Sequence, residues 1–183
     1  TMMFGHVDRA EHWANHLLHI RQLQQMTGGF TEFVPLPFVP AQAPIFRRGM
    51  ARSGPTRREV ILVHAIARLV LGDVLANIQA SWAKLGHQGV LDTLDFGVND
   101  LGGCLMNESI SRAAGAGHGQ CWPPEAMVEG IRSVARQPLQ RTTLYGRVAP
   151  EQAAKSRRDT WLLASTHNPS ATLAINQNTP RTF

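Results

Sequence analysis

Short apolar segments alternate with helical segments over most of this 183-residue chain, and this alternation limits the possible folds more than any other feature. Strands are predicted at residues 1–5, 30–34, 75–80 and 98–101, with a short last strand at 142–145. Strands separated by helices form parallel sheets with right-handed crossovers, and functional loops follow the carboxyl ends of such strands. We therefore predict an α/β fold built on a parallel sheet.

The intervening helices are predicted from periodic apolar positions and flanking residues. In the first, residues 9–26, Trp13 and Leu17 recur at helical spacing, and Asp8 is predicted to cap the amino terminus. Further helices are predicted at residues 55–71, 82–96 and 123–136, with interruptions at Gly86 and Gly89. A complete (β/α)8 barrel takes about 250 residues, so a chain of this length supplies only part of one.

A proline-rich segment follows the second predicted strand. Pro35, Pro37, Pro40 and Pro44 are expected to exclude both helix and sheet pairing for some distance. Apolar residues lie between these prolines and argue against disorder. We therefore predict a long ordered loop over residues 35–54 that covers the carboxyl ends of the strands.

The last part of the chain differs in composition from the rest. Residues 147–183 are rich in Ser, Thr, Asn, Gln and Arg and show no sustained apolar period. We predict a folded domain over residues 1–146, followed by a largely disordered tail over residues 147–183.

Composition narrows the functional classes. The 18 Lys and Arg residues against 13 Asp and Glu give a basic chain, but the basic clusters are scattered, which favours solvated charge over nucleic-acid binding. The longest apolar run, residues 60–71, is far shorter than the roughly 20 residues of a membrane span. Cys104 and Cys121 have no metal-ligand spacing, so a reducing, cytoplasmic location is expected.

Three histidines share one side of the first predicted helix. His12, His16 and His19 stand at helical spacing, a pattern that also occurs in metal sites. Glu11 and Gln22 lie on the same side, which favours a solvated helix face. We retain the metal site as the weaker alternative.

Polar residues cluster near the predicted strand ends. Asn77, Gln79 and Ser81 alternate with apolar residues and share one face, so they line either a ligand cavity or the solvent side of an edge strand. Gly102 and Gly103 form a turn where backbone amides can approach an anion. The segment after this turn carries Asn107, Glu108 and Arg112, a composition equally typical of a binding site and of a solvated loop.

Longer motifs resemble a known family. They are MMFGH at residues 2–6, TGGFTEFVPLPF at 27–38, NIQASW at 77–82, NDLGG at 99–103 with MNESISR at 106–112, and RTTLYG at 141–146. In this order and spacing the chain resembles the FO synthase family of radical S-adenosylmethionine enzymes, and within it the half that uses tyrosine.

This resemblance implies the later strands and helices of a partial (β/α)8, TIM-type barrel. It implies transfer of a 4-hydroxybenzyl unit from L-tyrosine to 5-amino-6-(D-ribitylamino)uracil, in the biosynthesis of the deazaflavin coenzyme F-420. The family uses S-adenosylmethionine and a 4Fe-4S cluster held by a CxxxCxxC motif, which this chain lacks. The chain alone is therefore expected to be inactive without an N-terminal barrel half and to bind no cluster through its own cysteines.

The resemblance also implies which residues line the substrate and S-adenosylmethionine cavity. Arg112 is the candidate for holding a carboxylate. Glu32 and Glu108 are candidates for binding ammonium or hydroxyl groups. The turn at Gly102 is the candidate for close approach of the backbone to a ligand. No residue is assigned a catalytic role. The full set of candidates is Glu32, Asn77, Gln79, Ser81, Asn99, Asp100, Gly102, Gly103, Asn107, Glu108 and Arg112. The alternative class is a non-enzymatic βα module that docks on a partner protein.

Overall fold

Short parallel strands run through the centre of the molecule. The computed structural model describes residues 1–105, 108–119 and 121–158. Strand β1 (Met2–Phe4) pairs in parallel with β2 (Pro35–Pro37). Parallel bridges then join Phe33 to Ile78 and Gln79 to Asp100. The resulting order follows the sequence, so the predicted combination of helices with a parallel sheet is confirmed.

The position of β2 corrects one prediction. Prolines were expected to exclude both helix and sheet pairing from residue 35 onward, yet β2 consists of Pro35, Leu36 and Pro37, and a one-turn helix begins at Pro44, where a proline is tolerated in the first turn. Successive N–H groups of a strand point to opposite edges, and Phe38 N donates to the Phe4 carbonyl oxygen at 2.9 Å. The two prolines therefore occupy positions whose missing N–H would point away from β1. A strand with prolines at alternate positions can still pair along one edge.

Seven helices are present among the described residues. They are α1 (Ala10–Thr27), α2 (Pro44–Arg47), α3 (Arg57–Leu71), α4 (Trp82–Thr93), α5 (Ile110–Ala113), α6 (Pro124–Ser133) and α7 (Pro150–Arg158), with a 3-10 turn at Leu94–Phe96. A reciprocal capping box begins α3: Thr56 Oγ1 accepts from Glu59 N at 3.2 Å, and Glu59 Oε2 accepts from Thr56 N at 2.7 Å. The predicted break in α4 is confirmed at Gly86, which has non-helical φ and ψ. The helices predicted at residues 9–26, 55–71, 82–96 and 123–136 are therefore present with small shifts.

The region after α6 differs from the prediction. The strand predicted at 142–145 is wrong, because these residues form a turn closed by an antiparallel bridge between Arg141 and Arg147. Helix α7 lies inside the segment for which disorder was predicted. Residues 159–183 lie outside the described residues, and the boundary at Gly146 stays a prediction.

The core lies between the sheet and helices α1, α3 and α4. Phe4, Phe33, Ile78 and Ala80 are completely or almost completely buried. On α1, Trp13 packs edge to face against Phe4 with ring centroids 6.0 Å apart. The sheet therefore buries one face under helices and leaves its other face to the polar residues described below. Across the described ranges, every helix is too short or too polar to cross a membrane.

Candidate functional site at the carboxyl ends of the strands

Loops from four strand segments meet at one edge of the sheet. We call this edge the mouth and define it as residues 5–9, 38–54, 81–86, 102–105 and 108–119. Arg52 N donates to the His6 carbonyl oxygen at 3.0 Å, and Gln42 N donates to the Ala114 carbonyl oxygen at 3.1 Å. The loop after β2 thus connects the first and last loops of the mouth, as expected for a cover over the strand ends.

A histidine–carboxylate pair occupies the first loop of the mouth. The Asp8 carboxylate accepts the amides of Gly5 and His6 at 2.8 and 2.7 Å and the His6 Nδ1 at 2.7 Å. The Trp13 indole N–H also donates to it. The Asp8 side chain is only 9% exposed. The prediction that Asp8 caps α1 is therefore wrong; Arg9 holds the N-cap position, and the Asp8 carboxylate caps the turn after β1 instead.

The hydrogen bonds to Asp8 decide its charge. Burial by itself raises the pKa of Asp8, but the amide donors of Gly5 and His6 and the Trp13 indole lower it more, so the net pKa lies well below its usual range. Arg52 adds a positive charge 3.9 Å from the carboxylate and is itself paired with Glu59 at 2.6 Å. Asp8 is consequently an ionised, acceptor-only group at neutral pH.

The predicted glycine turn is present, but two of its backbone hydrogen-bonding groups already have partners within the protein. Gly102 has φ of +73°, and a Cβ there would lie 2.5 Å from Nε2 of Gln79, so the position requires glycine. The Gly102 amide donates to Oδ1 of Asp100 at 2.6 Å, and the Gly103 carbonyl accepts from the Trp82 indole at 2.9 Å. Any ligand at this turn therefore meets the exposed Gly103 backbone rather than the paired Gly102 amide.

The segment with Asn77, Gln79 and Ser81 is not an edge strand. Gln79 N donates to the Phe33 carbonyl oxygen, and Ala80 N donates to the Asp100 carbonyl oxygen, both at 2.9 Å. Asn77 and Gln79 are half-buried and alternate with the buried residues Ile78 and Ala80. The alternative of a solvent face on an edge strand is thereby excluded, while Ser81 stands at the N-cap position of α4.

Asn99 lies at the opposite end of the strands from the mouth. Its Oδ1 accepts from Ile78 N at 2.9 Å and from the Arg68 guanidinium at 2.8 Å. Arg68 also bonds the carbonyl oxygens of Ala76 and Gly97, which precede the two strand segments. These hydrogen bonds link the amino-terminal ends of neighbouring strands. Asn99 therefore has a structural role here, although the resemblance placed it in the cavity.

An ion pair covers the polar face of the sheet. The Asp100 side chain, 5% exposed, accepts from Arg141 Nε at 2.5 Å, and the Arg141 guanidinium lies 4.0 Å from the centre of the Tyr145 ring. Burial first, and then Asp100, raise the pKa of Tyr145, with a smaller contribution from the charge of Glu32. Arg141 and Tyr145 were not among the candidate site residues, because their segment was interpreted as a closing motif and a short strand, and no local pattern predicts a contact with Asp100, 41 positions away.

Glu108 and Arg112 lie in the last loop of the mouth. The Glu108 carboxylate accepts from Ser111 N at 3.0 Å, and Lys84 Nζ donates to Ser111 Oγ at 3.2 Å. Arg112 is exposed, and within the described ranges its guanidinium has no partner. Asn107 lies outside the described residues. Of this group, Arg112 is the residue free to bind an anionic ligand.

The thiols and the helix histidines do not form a metal site. Cys104 and Cys121 are the only cysteines in the sequence, and burial raises the pKa of both thiols. His16 packs against Phe33 with ring centroids 6.1 Å apart and so turns into the protein. Across the described ranges, no group of three or more His, Cys, Asp or Glu is placed to hold a metal ion.

The chain is similar in sequence to known proteins. The family profile described as "CofH/MqnC C-terminal region" matches residues 27–153. A "5-amino-6-(D-ribitylamino)uracil--L-tyrosine 4-hydroxyphenyl transferase" of Methanopyrus kandleri is 54% identical over 145 residues, covering 79% of this chain and 39% of that protein. An "FO synthase" of Streptomyces avermitilis is 47% identical over 152 residues, covering 83% of this chain and 18% of that protein. The chain thus spans well under half the length of these relatives.

Proposed function

This chain belongs to the family of the CofH/MqnC C-terminal region, and on that premise we propose that it is part of an enzyme of deazaflavin biosynthesis. The proposed reaction transfers a 4-hydroxybenzyl unit from L-tyrosine to 5-amino-6-(D-ribitylamino)uracil on the path to coenzyme F-420. The observation that carries this proposal is the 54% identity over 145 residues to a protein named for these two substrates.

We propose further that the strands form part of a (β/α)8 barrel. Consecutive parallel strands in sequence order, with helices on one face, are the repeat from which such barrels are built. In a closed barrel the opposite face, with Asn77 and Gln79, points inward, and the mouth is the edge where barrel enzymes place their sites. The remaining strands would come from parts of the longer protein that this sequence does not include.

The residues present do not fit a 4Fe-4S cluster. Such a cluster in a CxxxCxxC motif requires three thiolates, whereas the sequence has two cysteines that are not spaced as a motif. We therefore place the cluster, and with it the chemistry of S-adenosylmethionine, on the rest of the protein. The contribution of this chain is to bind and orient substrates at the mouth.

Arg112 suits the carboxylate of tyrosine. Its guanidinium is exposed at the mouth and has no partner among the residues that the structure describes. A planar guanidinium binds a carboxylate through two parallel hydrogen bonds, which a lysine does not reproduce. Glu108 lies in the same loop and offers a carboxylate acceptor for ammonium, amino or hydroxyl groups.

The function is tested in the longer protein that contains this chain, with its cluster loaded anaerobically. We expect ring-labelled tyrosine to yield a labelled 4-hydroxybenzyl adduct of the aminouracil, detected by mass spectrometry. Arg112→Gln should raise the KM for tyrosine about 10- to 100-fold, because one charge-assisted interaction is lost. Arg132→Gln, an exposed arginine on α6, is the matched control and should leave the KM unchanged. No adduct from a fully loaded wild-type enzyme would contradict the proposed function and favour a docking module.

A further inference from the structure

We propose that His6 is a substrate-binding residue whose Nε2 accepts a hydrogen bond from a neutral O–H or N–H group of the substrate, with Asp8 as its positioning residue. The proposal rests on the proposed function and extends it to a residue of the MMFGH motif that was not among the candidate site residues. It follows from the geometry of the first loop of the mouth.

The proton on the His6 ring is fixed by its neighbour. Nδ1 of His6 lies 2.7 Å from Oδ1 of Asp8, and an ionised carboxylate can only accept a hydrogen bond. Nδ1 therefore carries the hydrogen. In the neutral form of the ring the lone pair therefore lies on Nε2, at the far side from Asp8.

The ring is held rigidly in this orientation. Asp8 is anchored by two amides and the Trp13 indole, so its carboxylate cannot rotate away without losing several hydrogen bonds. Phe38 packs against the imidazole with ring centroids 5.6 Å apart. Gly5 has φ of +90°, and a Cβ there would lie 2.4 Å from Cδ of Pro55, so the backbone turn is also fixed. A pre-organised group of this kind loses little entropy when it binds a ligand.

The outer nitrogen is left without a partner. The side chain of His6 is 27% exposed, and among the residues in the described ranges none bonds to its Nε2. Nε2 is therefore open to a ligand, and the ring stands at the carboxyl end of β1 and packs against Phe38 of the loop after β2.

The surrounding charges select the kind of ligand. The charged groups that face His6 are Asp8 from its own loop and Arg52 from the loop after β2, and Arg52 is shared with Glu59 of α3. Two carboxylates against one guanidinium leave a net charge of about −1, which disfavours an anionic ligand, and the lone pair of Nε2 suits an O–H or N–H donor. A phenol hydroxyl of tyrosine and a ribityl hydroxyl or amino N–H of the aminouracil both have this chemistry.

The test uses the longer, cluster-loaded protein and measures kcat and KM for both substrates. His6→Phe keeps a ring but removes the acceptor, and we expect kcat/KM to fall about 10- to 100-fold, because one donor of the bound substrate is left without its hydrogen-bond partner. A rise confined to the KM of tyrosine identifies its phenol as the donor, and a rise confined to the KM of the aminouracil identifies the second substrate. His19→Phe, an exposed histidine on α1, is the matched control.

Two further measurements keep the proposal decidable. If His6→Phe does not fold, His6→Gln and His6→Asn replace it, and Gln should be the more active because its amide reaches the position of Nε2. ¹⁵N NMR of the ring should show hydrogen on Nδ1, and Asp8→Ala, which removes both acceptor oxygens, should abolish that preference, a result that lost packing alone does not produce. Normal kinetics in His6→Phe, with an active wild type, would overturn the role of His6 and leave the proposed function intact. An inactive wild type would overturn both.

Discussion

His64 makes the stability of the molecule depend on pH. The side chain is completely buried in α3, its Nδ1 lies 2.7 Å from the Val60 carbonyl oxygen, and burial lowers the pKa of His64 below its usual value. In the unfolded chain a histidine gains its proton near pH 6.5, while the folded chain resists protonation at this position. We therefore expect the free energy of unfolding to be constant above that pH and to fall as the pH drops toward the folded-state pKa.

The measurement is a series of urea unfolding curves between pH 5 and pH 8. His64→Leu should reduce the dependence of the midpoint on pH, because a titrating buried group is removed. Val63→Ala, on the same helix and equally buried, is the control; it should lower the midpoint at every pH without changing the slope. An unchanged slope in His64→Leu would show that other groups cause the dependence.

At the residue scale, the location of polar residues could be predicted from the sequence more accurately than the residues that they contact. Gln79 alternates with the buried residue Ile78, and Arg112 lies exposed in the last loop of the mouth, as the strand pattern and the loop position implied; that they line a cavity stays a prediction. The ion pair of Asp100 with Arg141 joins residues 41 positions apart, and no local pattern encodes such a contact. Asp8 was misassigned because a carboxylate beside a helix start has two competing sets of backbone donors, and here the preceding turn binds it.

At the scale of single elements, helices were predicted well because their signals are local. The capping box of Thr56 and Glu59 and the apolar period of α3 both lie within the segment that they specify. Strand β2 was missed because its pairing does not depend on local sequence alone. Whether Pro35 and Pro37 disrupt pairing depends on which edge faces β1, and that is decided by the tertiary arrangement.

Gly86 controls the direction of α4. It has φ of 74° and ψ of 169°, a combination that essentially only glycine adopts, and a Cβ there would lie 2.9 Å from Nδ1 of His118. Gly86→Ala should therefore lower the free energy of unfolding by about 1–3 kcal/mol. Gly89→Ala, in the regular part of the helix, is the control and should change it less, because only its contact with Leu85 must adjust. Equal or greater stability of Gly86→Ala in thermal unfolding would contradict the kink.

At the scale of the whole molecule, the alternation of strands and helices determined the predicted fold class, since each crossover brings the next strand into parallel alignment. That alignment also explains why residues as distant as His6, Arg52 and Arg112 belong to one mouth. The same topology leaves β1 at an edge of the described sheet, with its outer row of backbone groups facing away from β2.

Hydrogen exchange at Met3 tests whether a further strand covers that edge. Met2 N donates to the Val34 carbonyl oxygen at 3.2 Å, so by alternation the Met3 N–H points to the outer edge of β1. In a closed barrel a neighbouring strand from the rest of the protein accepts that N–H. By NMR, the Met3 amide should exchange rapidly in this chain alone and slowly in the longer protein, while the Met2 amide is protected in both. Equally rapid exchange of Met3 in the longer protein would contradict barrel closure at β1, because an N–H paired with a neighbouring strand cannot exchange without local opening.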